Sequence, residues 1–234
     1  MEQKQSFLKW RNLEIQKTVG GPKERYEWGL DHINKSGFGR YLELTEYFGI
    51  LFDVFEGKVA EDFYEAFFRD KRSYEWLQSA WEITENGQTL ISYRGVSGLR
   101  FQEYTRSDGS VVPFYLTPDF RYSEKRAFPV GHLKEKMAKR MADGRLHQSL
   151  PDLNDFDDSF ILWHSGRVWG DFPEEMRKSR IDVDLLQYGW TDPAERRCVV
   201  PVAFYNMYND YKMFLFGHVG GAGSARGARE KTEG

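Results

Sequence analysis

The chain has 234 residues with an apolar share of 40%, an aromatic share of 16% and a charged share of 29%, a composition far from that of disordered chains and able to build a sizeable core. Its formal charge of −3 excludes whole-molecule attraction to nucleic acid or an anionic membrane, so a polyanion site must be a local patch. A single cysteine, Cys198, excludes an intramolecular disulfide, and the charged start without a long apolar run predicts a cytoplasmic protein with no membrane insertion.

The first eighty residues read as helices. Pro22 suits a first helical turn, and Tyr26, Leu30 and Ile33 follow at helical spacing until Ser36-Gly37 ends the segment. Residues 41–56 repeat apolar side chains at Leu44, Tyr47, Phe48, Leu51, Val54 and Phe55 and stop at Gly57. The same period continues through Val59, Phe63 and Phe67 and through Trp76, Leu77 and Ala80, which predicts helices over 58–70 and 73–81.

At Trp81 the period changes to two. Asn86-Gly87 predicts a hairpin joining 81–84 to 88–93, and Asp108-Gly109 a second hairpin joining 99–105 to 111–116, together a β-meander. Residues 120–128 read as irregular. Leu133, Met137 and Met141 recur every four positions and predict a helix over 130–143 closed by Gly144. A loop carrying Asp152, Asp155, Asp157 and Asp158 follows, then a hairpin over Ser165-Gly166, a helix over 173–180, and a last hairpin joining 198–205 to 211–216. Pro201 marks an edge or a bulge in that hairpin. After Phe216 the chain turns to glycine, alanine and charge, which predicts a flexible tail over 221–234. The expected class is α+β: an aromatic-rich N-terminal helical cluster packed with an antiparallel meander, one basic helix and a C-terminal hairpin. Residues 1–220 are expected to form one domain, with an alternative boundary near 80.

Signatures of chemistry are sparse. The tail glycines have no helix and second strand after them to make a dinucleotide fingerprint. The four aspartates are out of register with a calcium loop, since the positions for its glycine and last glutamate hold Phe160 and Gly166. His32, His132, His147, His164 and His218 lack zinc-ligand spacing. Cys198 lies in an apolar strand pattern, and His164 beside Ser165 reads as a turn, so no catalytic residue, metal ligand or cofactor is assigned.

The remaining feature is electrostatic. Arg121, Lys125, Arg126, Lys134, Lys136, Lys139, Arg140 and Arg145 face only Glu124, Glu135 and Asp143 between 121 and 145. Lys136, Lys139 and Arg140 share one side of the expected helix, away from its apolar stripe. Arg121, Arg126, Lys136, Lys139, Arg140 and Tyr122 are therefore the expected binding residues. A non-enzymatic protein-interaction factor is the first expectation, an inhibitor or regulator of the accessory kind carried by plasmids or phages, which would occlude a macromolecular partner. A nucleic-acid-binding accessory protein is the second, and an enzyme with a site assembled from distant residues the third.

Overall fold

In the computed structural model, which describes residues 7–17, 20–24, 26–69, 74–84, 87–105, 109, 111–115, 120–133, 135, 136, 150–185, 199–207, 212–217 and 223–231, the chain starts as strands rather than helix. β1 (Phe7–Trp10) and β2 (Leu13–Gln16) pair antiparallel with Trp10 opposite Leu13. Alternation buries Leu8, Trp10, Leu13 and Ile15 on one face. Pro22 falls inside β3 (Gly20–Glu24), so the first helix, α1 (Tyr26–Lys35), begins later than its proline suggests. Gly37 at φ +80° ends it, as its position predicts.

A short β4 (Arg40–Tyr41) leads into α2 (Leu44–Phe55). Glu43 and Glu46 form a reciprocal capping box at its start, and Tyr47, Phe48, Leu51 and Phe52 are buried at the expected steps. α3 (Glu61–Tyr64) continues into a turn of π-helix at Glu65–Arg69.

The largest departure is β5 (Glu75–Ile83), a nine-residue strand where 73–81 is expected to be helical. Trp76 and Ala80 pack on one face of it, Leu77 and Trp81 on the other. A strand buried on both faces produces pairs of apolar residues four apart, and that pattern is also helical. β6 (Thr89–Arg94) pairs antiparallel with β5 past Gly87 at φ +65°, as the Asn-Gly signal predicts. β7 (Phe101–Thr105) and β8 (Val111–Tyr115) also pair as expected, but as a separate two-stranded sheet. Residues expected to be irregular form β9 (Glu124–Pro129), which pairs with β6 along its whole length. Residues 131–133, 135 and 136 are helical, and the remainder of the expected basic helix lies outside the described residues.

The expected hairpin over Ser165-Gly166 is instead α4 (Asp158–Ser165), with Gly166 as its left-handed C-cap at φ +79°. The acidic loop supplies helix starts: Asp152 accepts from the Asn154 N–H of a 3-10 turn, and Asp157 is the N-cap residue of α4. α5 (Glu174–Lys178) lies where its proline and glutamates predict it, and β10 (Arg180–Asp184) follows. β11 (Val199–Met207) and β12 (Lys212–Gly217) make the expected last hairpin. Pro201 sits at a register shift, but in a strand flanked by β5 and β12, so it marks a bulge and not an edge.

Residues 223–230 of the expected tail are held in the sheets. β13 (Gly223–Ala225) pairs with β3 and β5, and β14 (Gly227–Glu230) lies between β2 and β4. Small residues are needed there, since a Cβ at Gly227 would stand 2.4 Å from that of Phe38.

The strands form a four-stranded sheet ordered β1-β2-β14-β4 and a larger sheet whose path runs β10-β12-β11-β5-β13-β3, with β6 and then β9 branching from β5. β10 runs parallel to β12, and β13 parallel to β5; the other pairs are antiparallel. The fold is α+β. One core cluster joins α2, α4 and the β1–β2 hairpin to one face of the larger sheet, and a second joins α1 to the other. No helix among the described residues is long and apolar enough to cross a membrane.

Candidate functional site

The branch β6-β9 carries one of the expected binding residues, Arg126, and two more, Arg121 and Tyr122, lie just before β9. Its ladder sets Arg94 opposite Glu124, Tyr93 opposite Lys125, Ser92 opposite Arg126 and Leu90 opposite Phe128. Ser97 and Arg121 extend it by two backbone hydrogen bonds of 2.9 Å. Among the described residues β9 pairs with β6 alone, which makes it an edge strand among them. Phe128 is buried, while Glu124 to Ala127 and Pro129 are exposed. Phe128 packs on Phe160, His164 and Trp163 at 5.1, 5.5 and 6.2 Å. One aromatic anchor therefore holds a strand that otherwise stands in water.

Each face of this edge shows a cation near aromatic rings. Toward α4, the Arg94 guanidinium lies 3.8 Å from the Trp163 ring centre and donates to the Trp163 carbonyl, while Arg126 stands 5.7 Å from the same ring and 5.4 Å from Phe128. The Trp163 indole N–H is buried without a hydrogen-bond partner among the described residues. On the opposite face Tyr122 packs on Tyr93 at 5.0 Å and on Phe120 at 5.7 Å, and Lys125 Nζ is 5.7 Å from the Tyr122 ring. Tyr122 is 39% exposed, whereas Tyr93 beneath it is buried. Burial lowers the Arg94 pKa, and Glu124 at 3.6 Å acts the other way.

The structure thus brings Arg121, Tyr122 and Arg126 to one edge of the sheet, with Arg121 paired to Ser97, Arg126 paired to Ser92 and Tyr122 between them in the chain, and adds Lys125. Lys136 is exposed and helical, whereas Lys139 and Arg140 lie outside the described residues. Arg94 and Trp163 are the members that sequence reasoning misses. Arg94 ends a strand and Trp163 sits on α4, read as a hairpin, so only tertiary packing joins them.

His164 is not a turn residue. Its Nε2 lies 2.9 Å from Ser92 Oγ and 3.3 Å from Trp81 Nε1, and its Nδ1 lies 2.7 Å from the Phe160 carbonyl. An indole nitrogen only donates, so Nε2 is the acceptor and Nδ1 carries the proton. Burial lowers the His164 pKa to about 3. His164 and Ser92 are 2% and 1% exposed, so this pair holds α4 on β6 and offers no nucleophile to a substrate. Among the described residues no three histidine, cysteine or acidic side chains converge as metal ligands. No known protein family, curated protein or solved structure matches the chain.

Proposed function

We propose that this chain is a non-enzymatic protein-interaction factor that binds an acidic, extended segment of a protein partner along the outer edge of β9. The observation that carries the reading is this edge, paired on one side only among the described residues and flanked by the exposed cations Arg121, Lys125 and Arg126. An added strand satisfies unpaired backbone groups, and alternate acidic side chains meet Arg126 on one face and Lys125 on the other. On a molecule of net charge −3 such a local patch selects partners by complementarity. A factor that covers a partner's strand also blocks whatever else binds there, which is the physical basis of an inhibitor or regulator.

The test is capture of proteins from the native host by the parent chain and by the double reversal Lys125→Glu/Arg126→Glu, followed by mapping of the bound segments. Loss of partners with acidic extended segments in the reversal supports the reading. A reversal that keeps its partners but self-associates shows instead that the charges only protect an edge strand. Binding of single-stranded nucleic acid that falls steeply with salt favours the second expectation.

A further inference from the structure

A second site lies where the β1–β2 turn, α2 and the end of α4 meet. There a cavity of about 350 Å³ is lined by Trp10, Arg11, Thr45, Gly49, Phe52 and Arg167, among others. Its size is at the small end of ligand clefts, roughly 300–1,000 Å³, and suits a metabolite-sized molecule. Gly49 makes room for its wall, since a Cβ there would stand 2.9 Å from the Trp10 ring.

The charges around the cavity are unequally occupied. Arg167 binds both carboxylate oxygens of Glu56 and lies 4.3 Å from the Phe52 ring centre. Glu46 is held by both terminal nitrogens of Arg40, at 2.7 and 2.8 Å. Arg11 differs. Its guanidinium lies 4.2 Å from the Trp10 ring centre, and its ionic neighbour among the described residues, Asp53, is 3.7 Å away and already accepts from Trp10 Nε1 at 2.8 Å. The side chain is 61% exposed, and among the described residues its five donors have no acceptor nearer than this 3.7 Å ion pair.

The turn fixes where this side chain stands. Arg11 has φ +50°, the one positive value at a non-glycine position among the described residues. Glycine or asparagine adopts this conformation more readily than arginine. The C-terminal segment holds it in place, because the Lys231 N–H donates to the Asn12 carbonyl at 2.8 Å and Lys231 Nζ to that of Arg11. Only two residues separate the paired Trp10 and Leu13, and so tight a hairpin takes a positive φ at the first of them, so the turn itself sets the Arg11 backbone and leaves its guanidinium stacked on Trp10 at the cavity mouth.

We propose that this cleft binds a small carboxylate or phosphate anion through the planar donor fork of Arg11, with the Thr45 hydroxyl and Arg167 as neighbouring polar groups. The guanidinium fork matches both oxyanions bidentately. The test is calorimetric titration of the full chain with inorganic phosphate and, separately, with citrate at low ionic strength. Saturable binding of either probe at millimolar or lower concentration is expected, and the tighter of the two identifies the oxyanion class. Arg11→Asn relieves the turn, so its melting temperature stays at or above that of the parent while affinity falls at least tenfold. Arg11→Lys keeps the cation without the fork and loses part of the affinity. Absence of saturable binding up to about 20 mM, well above a Kd of 1 mM, or unchanged affinity in both variants, overturns the proposal.

Discussion

Two arginine-bearing regions, the C-terminal strands and the β9 edge, place the same side chain in opposite physical situations. Arg226, between β13 and β14, is 1% exposed. It donates to Glu75 at 2.8 and 2.9 Å and to the carbonyls of Gln16, Lys17 and Ala66 at 2.9, 3.0 and 2.7 Å, so all five donors are used. Its guanidinium also lies 4.3 Å from the Phe67 ring centre. Arg126 is exposed, faces two rings beyond 5 Å, and sits on an edge strand. The first guanidinium is consumed by the fold and the second remains available to another molecule. The sequence does not tell the consumed arginine from the available one, because the tail around Arg226 reads as flexible and the segment around Arg126 as irregular and basic.

The largest expected effect lies in the first region. Arg226→Ala leaves Glu75, 5% exposed, as a buried carboxylate without its cation, and removal of one partner of such a pair costs about 3–5 kcal/mol. Urea unfolding should show that loss, and deletion of residues 221–234 should show at least as much because β14 leaves the centre of its sheet. A midpoint unchanged by either alteration breaks the contrast between the regions.

The next effect is pH dependent and separates two buried groups. The folded pKa of His164, about 3, lies below its ordinary 6.5, so the unfolded chain binds more protons between these values. Stability contributed by neutral His164 is present above about pH 6.5 and declines toward pH 3, by up to about 1.4 kcal/mol per unit. Asp184 behaves oppositely, because burial raises its folded pKa from 3.8 to about 7. Its contribution is present below about pH 4 and is lost as pH rises through 7. Asp184→Asn should therefore gain up to about 4 kcal/mol over the parent at pH 8, with the difference vanishing near pH 4. His164→Gln should flatten the acid limb of the same curve. Parallel stability–pH curves for parent and variants remove the basis for both statements.

How much of this was legible follows from what each element buries. α2 shows one apolar stripe and the β5–β6 hairpin carries Asn86-Gly87, so periodicity and turn chemistry located both. β5 defeated periodicity because Trp76 and Trp81 belong to different cores on its two faces. The C-terminal strands defeated composition, since glycine and alanine at 223–228 permit close backbone approach rather than freedom. At the candidate site the charges of 121–126 were visible as a run. The strand that aligns them was not, because β9 exposes both faces and shows no alternation.

Removal of the exposed cations of the β9 edge should change stability least. Arg121→Ala, Lys125→Ala and Arg126→Ala remove exposed side chains whose aromatic contacts are distant, 5.4 to 5.7 Å where they occur. Surface substitutions of this kind usually fall within about 0.5 kcal/mol. The backbone pairing of β9 with β6 and the Phe128 anchor do not depend on them. Each variant should thus unfold at the parent's urea midpoint within error, in contrast to Arg226→Ala. The triple variant should nevertheless associate more slowly with an acidic partner segment, most clearly at low salt, because rim cations act mainly on encounter. The discriminating result is the pairing of unchanged stability with slowed association. If the triple variant instead unfolds early, the cations hold β9 in place, and the division between a consumed arginine and an available one fails.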